Sequence, residues 1–112
     1  MKEIKFRAWD WVNNVMKQWE YVQRQFDFSC FDESDRFVMQ QFTGLHDKNG
    51  KEGYHKDIAA LGKKLYIIEW QQEEARFFLA PTGNNTGTWK FMDELNKMQI
   101  IGNLHENPDL LK

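Results

Sequence analysis

The sequence predicts a mainly β, antiparallel fold: a small, partly open barrel or rolled sheet with one short helix near residues 90–98. Three observations lead there. Bulky apolar residues alternate with polar ones over much of the chain, the period of a half-buried strand. Turn chemistry recurs at short intervals, so successive strands are joined by hairpins and not by crossover helices. Aromatic residues make up 15% of the chain, and such side chains favour a pleated, half-buried surface.

Residues 2–9 form the first strand, with Ile4, Phe6 and Ala8 on one side and Lys5, Arg7 and Trp9 on the other. Residues 10–14 break it, with Asn13-Asn14 as the turn. Residues 15–22 read as a second strand, so the N-terminus opens with a hairpin. Phe26, Phe28 and Cys30 alternate with Asp27 and Ser29 as a further strand, ended by the polar residues 32–35. Phe37, Met39 and Gln41 alternate with Val38, Gln40 and Phe42 and lead into a central turn. There, Asp47-Lys48-Asn49-Gly50 places an aspartate where it accepts a backbone hydrogen bond, and Asn and Gly where positive φ is cheap. Gly44 adds a flexible point just upstream.

Beyond the turn the chain passes through Asp57-Ile58-Ala59 to a tight connection at Leu61-Gly62-Lys63-Lys64. Residues 64–70 make the strongest strand. Tyr66, Ile68 and Trp70 share one face and Leu65, Ile67 and Glu69 the other, which suits a central position in the sheet. Residues 71–74 are a polar turn, residues 75–80 the partner strand and residues 81–87 a loop. Phe91, Met92, Leu95 and Met98 recur at helical spacing over about two turns. Residues 98–104 form the last strand. Asn107-Pro108-Asp109 then starts a helical turn, with Asn as the cap and Pro first inside. No repeat or low-complexity tract interrupts this plan.

The 112 residues suit a single domain, 1–112, with a modest core. Charged residues at 29% and a mean hydropathy of −0.75 indicate a soluble chain. The net charge is −2 but unevenly spread. Lys and Arg number six against seven acids in residues 1–45, five against three in 46–64, and four against seven in 65–112. A middle segment at +2 is a thin footprint for nucleic acid. Cys30 is alone, so no internal disulfide forms, which fits a reducing cytoplasm. No signal-peptide run opens the chain, and nothing approaches the roughly 18 apolar residues of a membrane span. A cytoplasmic location in a bacterial host cell and no membrane partner are therefore expected.

Three blocks carry a family resemblance. They are Ile4-Lys5-Phe6-Arg7-Ala8-Trp9-Asp10, then the run from Gln41-Phe42-Thr43-Gly44 through Asp47 and Glu52 to Tyr54 and Asp57-Ile58, and lastly Ile101-Gly102-Asn103-Leu104-His105-Glu106-Asn107-Pro108 with Asp109-Leu110-Leu111. Their order and spacing resemble the YopX family of phage and prophage proteins, and Glu69-Trp70 and Phe77 fit the same pattern. The resemblance implies a β-rich fold and a bacteriophage or prophage origin. It supplies no catalytic residues. One departure stands out: the family pattern has Tyr-Glu-Gly-Asp-Ile where this chain has Tyr54-His55-Lys56-Asp57-Ile58. Loss of that glycine removes an easy positive-φ position and implies a different local turn.

Several chemistries were weighed against plainer readings. His46, His55 and Asp57 are the candidate metal or hydrolase group, since His55 and Asp57 share a strand face. No HExxH or paired-Cys spacing supports it, and solvated loop histidines are the plainer reading. A calcium loop at the central turn would put Leu45 at the first ligand position and Lys56 where a bidentate Glu belongs, which excludes it. Cys30, among Phe28, Phe31 and Asp27, lacks an electropositive setting and reads as a half-buried strand cysteine. The Gly-containing loops lack phosphate-cradling order, and Glu73-Glu74 reads as a solvated turn. Trp9 is either an outer anchor, able to stack bases or a partner beside Lys5 and Arg7, or part of a second packed layer.

The sequence thus points to a non-enzymatic accessory protein that binds a macromolecule of host or phage, its own copies first, with no cofactor. The candidate binding surface is Arg7, Trp9, His46, Asp47, Lys48, Asn49 and Lys51, a turn on a rigid sheet plus an aromatic neighbour. The alternatives are a nucleic-acid-binding β domain using Lys48, Lys51, Lys56, Lys63 and Lys64, and a hydrolase or metal enzyme around His46, His55 and Asp57.

Overall fold

The computed structural model describes residues 4–25 and 37–111. Among them, strands β1 (Phe6–Asp10), β2 (Val15–Lys17), β3 (Phe37–His46) and β4 (Glu52–Tyr54) form one sheet in the order β2-β1-β3-β4. Strands β5 (Asp57–Leu61), β6 (Lys64–Gln71), β7 (Arg76–Thr82), β8 (Lys90–Phe91) and β9 (Gln99–Asn103) form the other, in the order β8-β7-β6-β5-β9. All pairings are antiparallel, and the sheets curl into a partly open half-barrel. The strand expected at residues 26–30, with Cys30, lies outside the described residues.

Local chemistry accounts for most of the connections. The Asp10 carboxylate accepts the N–H groups of Val12 and Asn13, closing the β1–β2 turn, and Asn14 takes the left-handed conformation at φ 54°. Gly62, at φ 61°, makes the two-residue β5–β6 turn, the positive-φ geometry that lets a hairpin keep its twist. β6 is the middle strand of its sheet and buries Tyr66, Ile67 and Ile68, as its two apolar faces require.

Two elements differ from the sequence expectation. The second strand ends at Lys17, and Trp19–Gln25 is an α-helix, α1. The Gln18 carbonyl accepts from the N–H groups of Tyr21 and Val22 and starts it. Trp19 and Val22 are three apart, so both face the sheet: Trp19 packs on Phe6 at 6.4 Å and Val22 is buried. Glu20, Gln23 and Arg24 are good helix formers, with the acid at the first turn and the base at the last. The predicted helix near residues 90–98 is present as a 3₁₀ helix, Met92–Lys97. Met92, Leu95 and Met98 recur every three residues, the 3₁₀ period. Leu95 and Met98 are fully buried, whereas Phe91 precedes the helix and is 58% exposed.

That helix caps the main core, in which Leu95, Met98 and Ile100 pack with Ala59, Tyr66, Ile68, Phe77 and Leu79. A Cβ on Gly53 of β4 would sit 2.7 Å from the Leu95 side chain, so the two sheets meet the helix at this glycine. The first sheet buries Ala8, Trp9, Met16, Phe42 and Tyr54.

The β6–β7 turn holds strain that a substitution can release. Ala75 sits at φ 52°, with its N–H bonded to the Gln72 carbonyl. An L-residue with a Cβ is disfavoured there. Ala75→Gly is expected to raise the free energy of unfolding in urea by about 0.5–1 kcal/mol. An unchanged or lower midpoint would contradict the strain.

Candidate functional site

Four strands bring one polar group together where the two sheets meet. Arg7 of β1 donates from Nε to Gln40 Oε1 of β3 at 2.8 Å and from Nη2 to Asp57 Oδ1 of β5 at 2.6 Å. The other Asp57 oxygen accepts the Tyr54 N–H at 2.8 Å. The guanidinium lies over the Tyr54 ring, 4.7 Å from its centroid. Arg7 is 6% exposed, Asp57 1% and Gln40 0%. Burial pushes the Asp57 carboxyl above the usual aspartate range, against the pull of Arg7 and the Tyr54 N–H. Burial, with Glu52 beside it, pushes the Tyr54 phenol up to about 12.

Arg7, Tyr54 and Asp57 of this group line a cleft of about 370 Å³. Lys51 and Glu52 form one side. Residues 101–103, Glu106 and Asn107 form the other. That second side is built by side-chain capping. Asn103 Oδ1 accepts from His105 and Glu106 N–H, its Nδ2 donates to Glu106 Oε1, and Asn107 Oδ1 accepts the Asn103 N–H. A Cβ on Gly102 would fall on the Asn107 carboxamide, so this position needs glycine. The three sequence blocks of the family resemblance, far apart along the chain, all reach this cleft.

The turn between β4 and β5 joins the sheets above it. The His55 N–H donates to the Gln41 carbonyl in the first sheet and the Lys56 N–H to the Ile68 carbonyl in the second. Lys56 keeps positive φ, at 74°. A positive φ is therefore held here by a residue other than glycine. Lys56 instead carries a side chain that pairs with Glu69 at 2.6 Å.

The central turn forms as read from its residues, with Asp47 as its hub. Asp47 Oδ1 accepts the N–H groups of Asn49 and Lys51, and Oδ2 accepts that of Ile100 on β9. Burial alone would raise the carboxyl's pKa, but those three N–H groups and Lys51 hold it below the usual range. Asp47 is thus a structural post, 6% exposed, while His46, Lys48, Asn49 and Lys51 face outward.

The other predicted residues separate. Trp9 is 4% exposed and stacks on His105 at 5.5 Å with the rings 13° apart, so it belongs to a packed layer and not to an outer platform. Trp11, half exposed, closes the edge of that stack. The three residues of the metal reading point apart. The His46 ring meets Phe42, His55 faces Glu69 and Phe77, and Asp57 holds Arg7. No group of three metal-ligating side chains gathers among the described residues. The basic segment is split as well. Lys48 and Lys51 lie on the Asp47 turn, while Lys56 and Lys63 flank opposite ends of β5, about 16 Å of strand. No helix of the described residues is long and apolar enough to cross a membrane.

A second concavity, about 550 Å³, was not foreseen. It lies where β8 stops covering β7. Among the described residues β8 pairs with Phe78 and Leu79, and the concavity lies beyond that pairing, beside Arg76, Phe77, Met92 and Asp93. Trp70, 41% exposed, packs on Phe77 at 5.0 Å. The Arg76 guanidinium lies 5.1 Å from the Phe91 ring. Trp89, 49% exposed, continues the aromatic surface through Phe78. The separate alternation of residues 76, 78, 89 and 91 carried this signal.

The family model described as YopX protein matches residues 20–112. Among solved structures, the chain is similar to protein EF1440 from Enterococcus faecalis. The two are 25% identical, each is covered over 100% of its length, and the TM-score is 0.71. No curated protein matches the chain.

The histidines give the site a pH signature. Burial, aided by Arg7 and Lys56, lowers the His105 pKa from 6.5. Burial and Lys56 also lower that of His55, against Glu69. Below pH 6.5 the unfolded chain takes up protons that the folded chain refuses. This stability is therefore full above pH 6.5 and is lost as pH falls through the lowered values. Unfolding free energy is expected to drop between pH 7.5 and 5.5, and His105→Gln should flatten part of that drop. A variant with the wild-type slope would contradict it.

Proposed function

The chain belongs to the YopX family of phage and prophage proteins, and from that premise we propose that it works by contact and not by turnover. The contact surface is the aromatic groove at the β7–β8 edge, and its first occupant is a second copy of the chain. One observation carries this reading: Trp70 and Phe91, 41% and 58% exposed, line one groove, and Trp89, 49% exposed, packs on Phe78 next to Phe91. Isolated exposed apolar side chains are ordinary, but aromatic residues grouped around a concavity mark interaction sites.

Charge favours a second copy over an unrelated partner. The groove carries Arg76 and Asp93, one cation and one acid on one patch. A two-fold interface brings each residue of a patch onto the same patch of its partner, so Arg76 of one chain meets Asp93 of the other. The outward side chains of the central turn offer a second, polar surface to a host or phage partner.

Light scattering on the purified chain tests this directly. The expected mass is about twice the 13.5 kDa of one chain. Trp70→Ala with Phe91→Ala should weaken the dimer by at least about thirtyfold. A wild-type monomer at every accessible concentration would overturn the self-association, as would a double variant that dimerises normally.

A further inference from the structure

The polar cleft at the meeting of the sheets has a donor to spare. Arg7 uses Nε on Gln40 and Nη2 on Asp57, and its third nitrogen, Nη1, has no partner among the described residues. Nη1 is also not a fully buried unsatisfied atom, so a side chain that is more than nine-tenths buried turns open N–H groups into the cleft. Asn107 is similar. Its Oδ1 is taken by the Asn103 N–H, while its Nδ2 is uncommitted. Glu106 lines the same cleft and commits only Oε1, to Asn103. A cleft of about 370 Å³ is within the range of small-molecule sites.

The balance of charge selects the ligand. Two cations, Arg7 and Lys51, and three carboxylates, Glu52, Asp57 and Glu106, line the cleft. A simple anion would meet the carboxylates, and a simple cation would meet Arg7 and Lys51. A molecule carrying both charges satisfies both sides. We propose that this cleft binds a free α-amino acid, with its carboxylate on Arg7 Nη1 and Asn107 Nδ2 and its ammonium on Glu106. Charge-assisted hydrogen bonds at both ends fix its orientation. The site is separate from the aromatic groove, so either assignment stands or fails without the other.

Titration of the ¹⁵N-labelled chain with free amino acids tests the assignment, with acetate, methylammonium and inorganic phosphate as single-charge probes. Saturable shifts centred on residues 101–107 are expected with amino acids, and weaker or no shifts with the probes. Glu106→Gln keeps an oxygen for Asn103 and removes only the charge, and it should weaken amino-acid binding by about tenfold. Retained chemical-shift dispersion would show that this variant is folded. The assignment is overturned by absence of saturable shifts with any amino acid at millimolar concentration. Acetate or methylammonium binding as well as an amino acid, or wild-type binding by the Glu106→Gln variant, would also overturn it.

Discussion

The ion pair between Arg7 and Asp57 is the constraint on which the rest of the structure depends. Arg7 belongs to the first sheet and Asp57 to the second, so the pair crosses a boundary that no strand ladder among the described residues bridges. Removing both charges from water is costly, and the attraction offsets that cost only if the remaining polar atoms are met. Here Gln40 takes Nε, the Tyr54 N–H takes the second carboxylate oxygen, and the Tyr54 ring covers the guanidinium. The satisfaction is not complete: Gln40 Nε2 and Trp9 Nε1 are buried without partners. Each unmet buried donor costs about 1–3 kcal/mol, which the bonds around Arg7 and Asp57 have to offset.

A second tie runs through Asp47. Its carboxylate both shapes the central turn and holds the start of β9. The turn is therefore part of the frame, and its outward side chains stand on a rigid base. The cleft lies between these two ties, and its far wall is the Asn103–Asn107 capping turn. A rigid frame around partly unsatisfied donors is the arrangement that a binding site requires.

The fold was legible where local chemistry decides. Alternation marked β6 as central because both its faces are buried, and Gly62 and Gly50 marked turns through their backbone freedom. Misreading came where two periods coincide. Trp19, Tyr21 and Val22 suit a strand by composition, but the i, i+3 pair of Trp19 and Val22 and the Gln18 carbonyl select a helix once Phe6 is there to pack on. At Lys56 a positive φ is held without glycine because hydrogen bonds to both sheets fix the turn. The site was less legible. Arg7 and Trp9 alternate like outer-face residues, yet Asp57 of the second sheet and His105 of the C-terminal turn meet them on that side, so both are buried. The Arg7–Asp57 pairing spans fifty positions, and patterning within a strand carries no information about contacts across sheets. The grouping of Arg7, Tyr54, Asp57 and Asn103 showed only as three separate blocks of family resemblance.

A double-mutant cycle on Arg7→Met and Asp57→Leu, read by equilibrium unfolding in urea, is the most direct test of this account. Each single variant leaves one charge buried and alone, and is expected to lose about 3–5 kcal/mol. The double variant should lose far less than the sum, with a coupling of about 3 kcal/mol. Losses that simply add would mean that the two residues stabilise the fold independently, and would contradict the claim that their pairing joins the sheets.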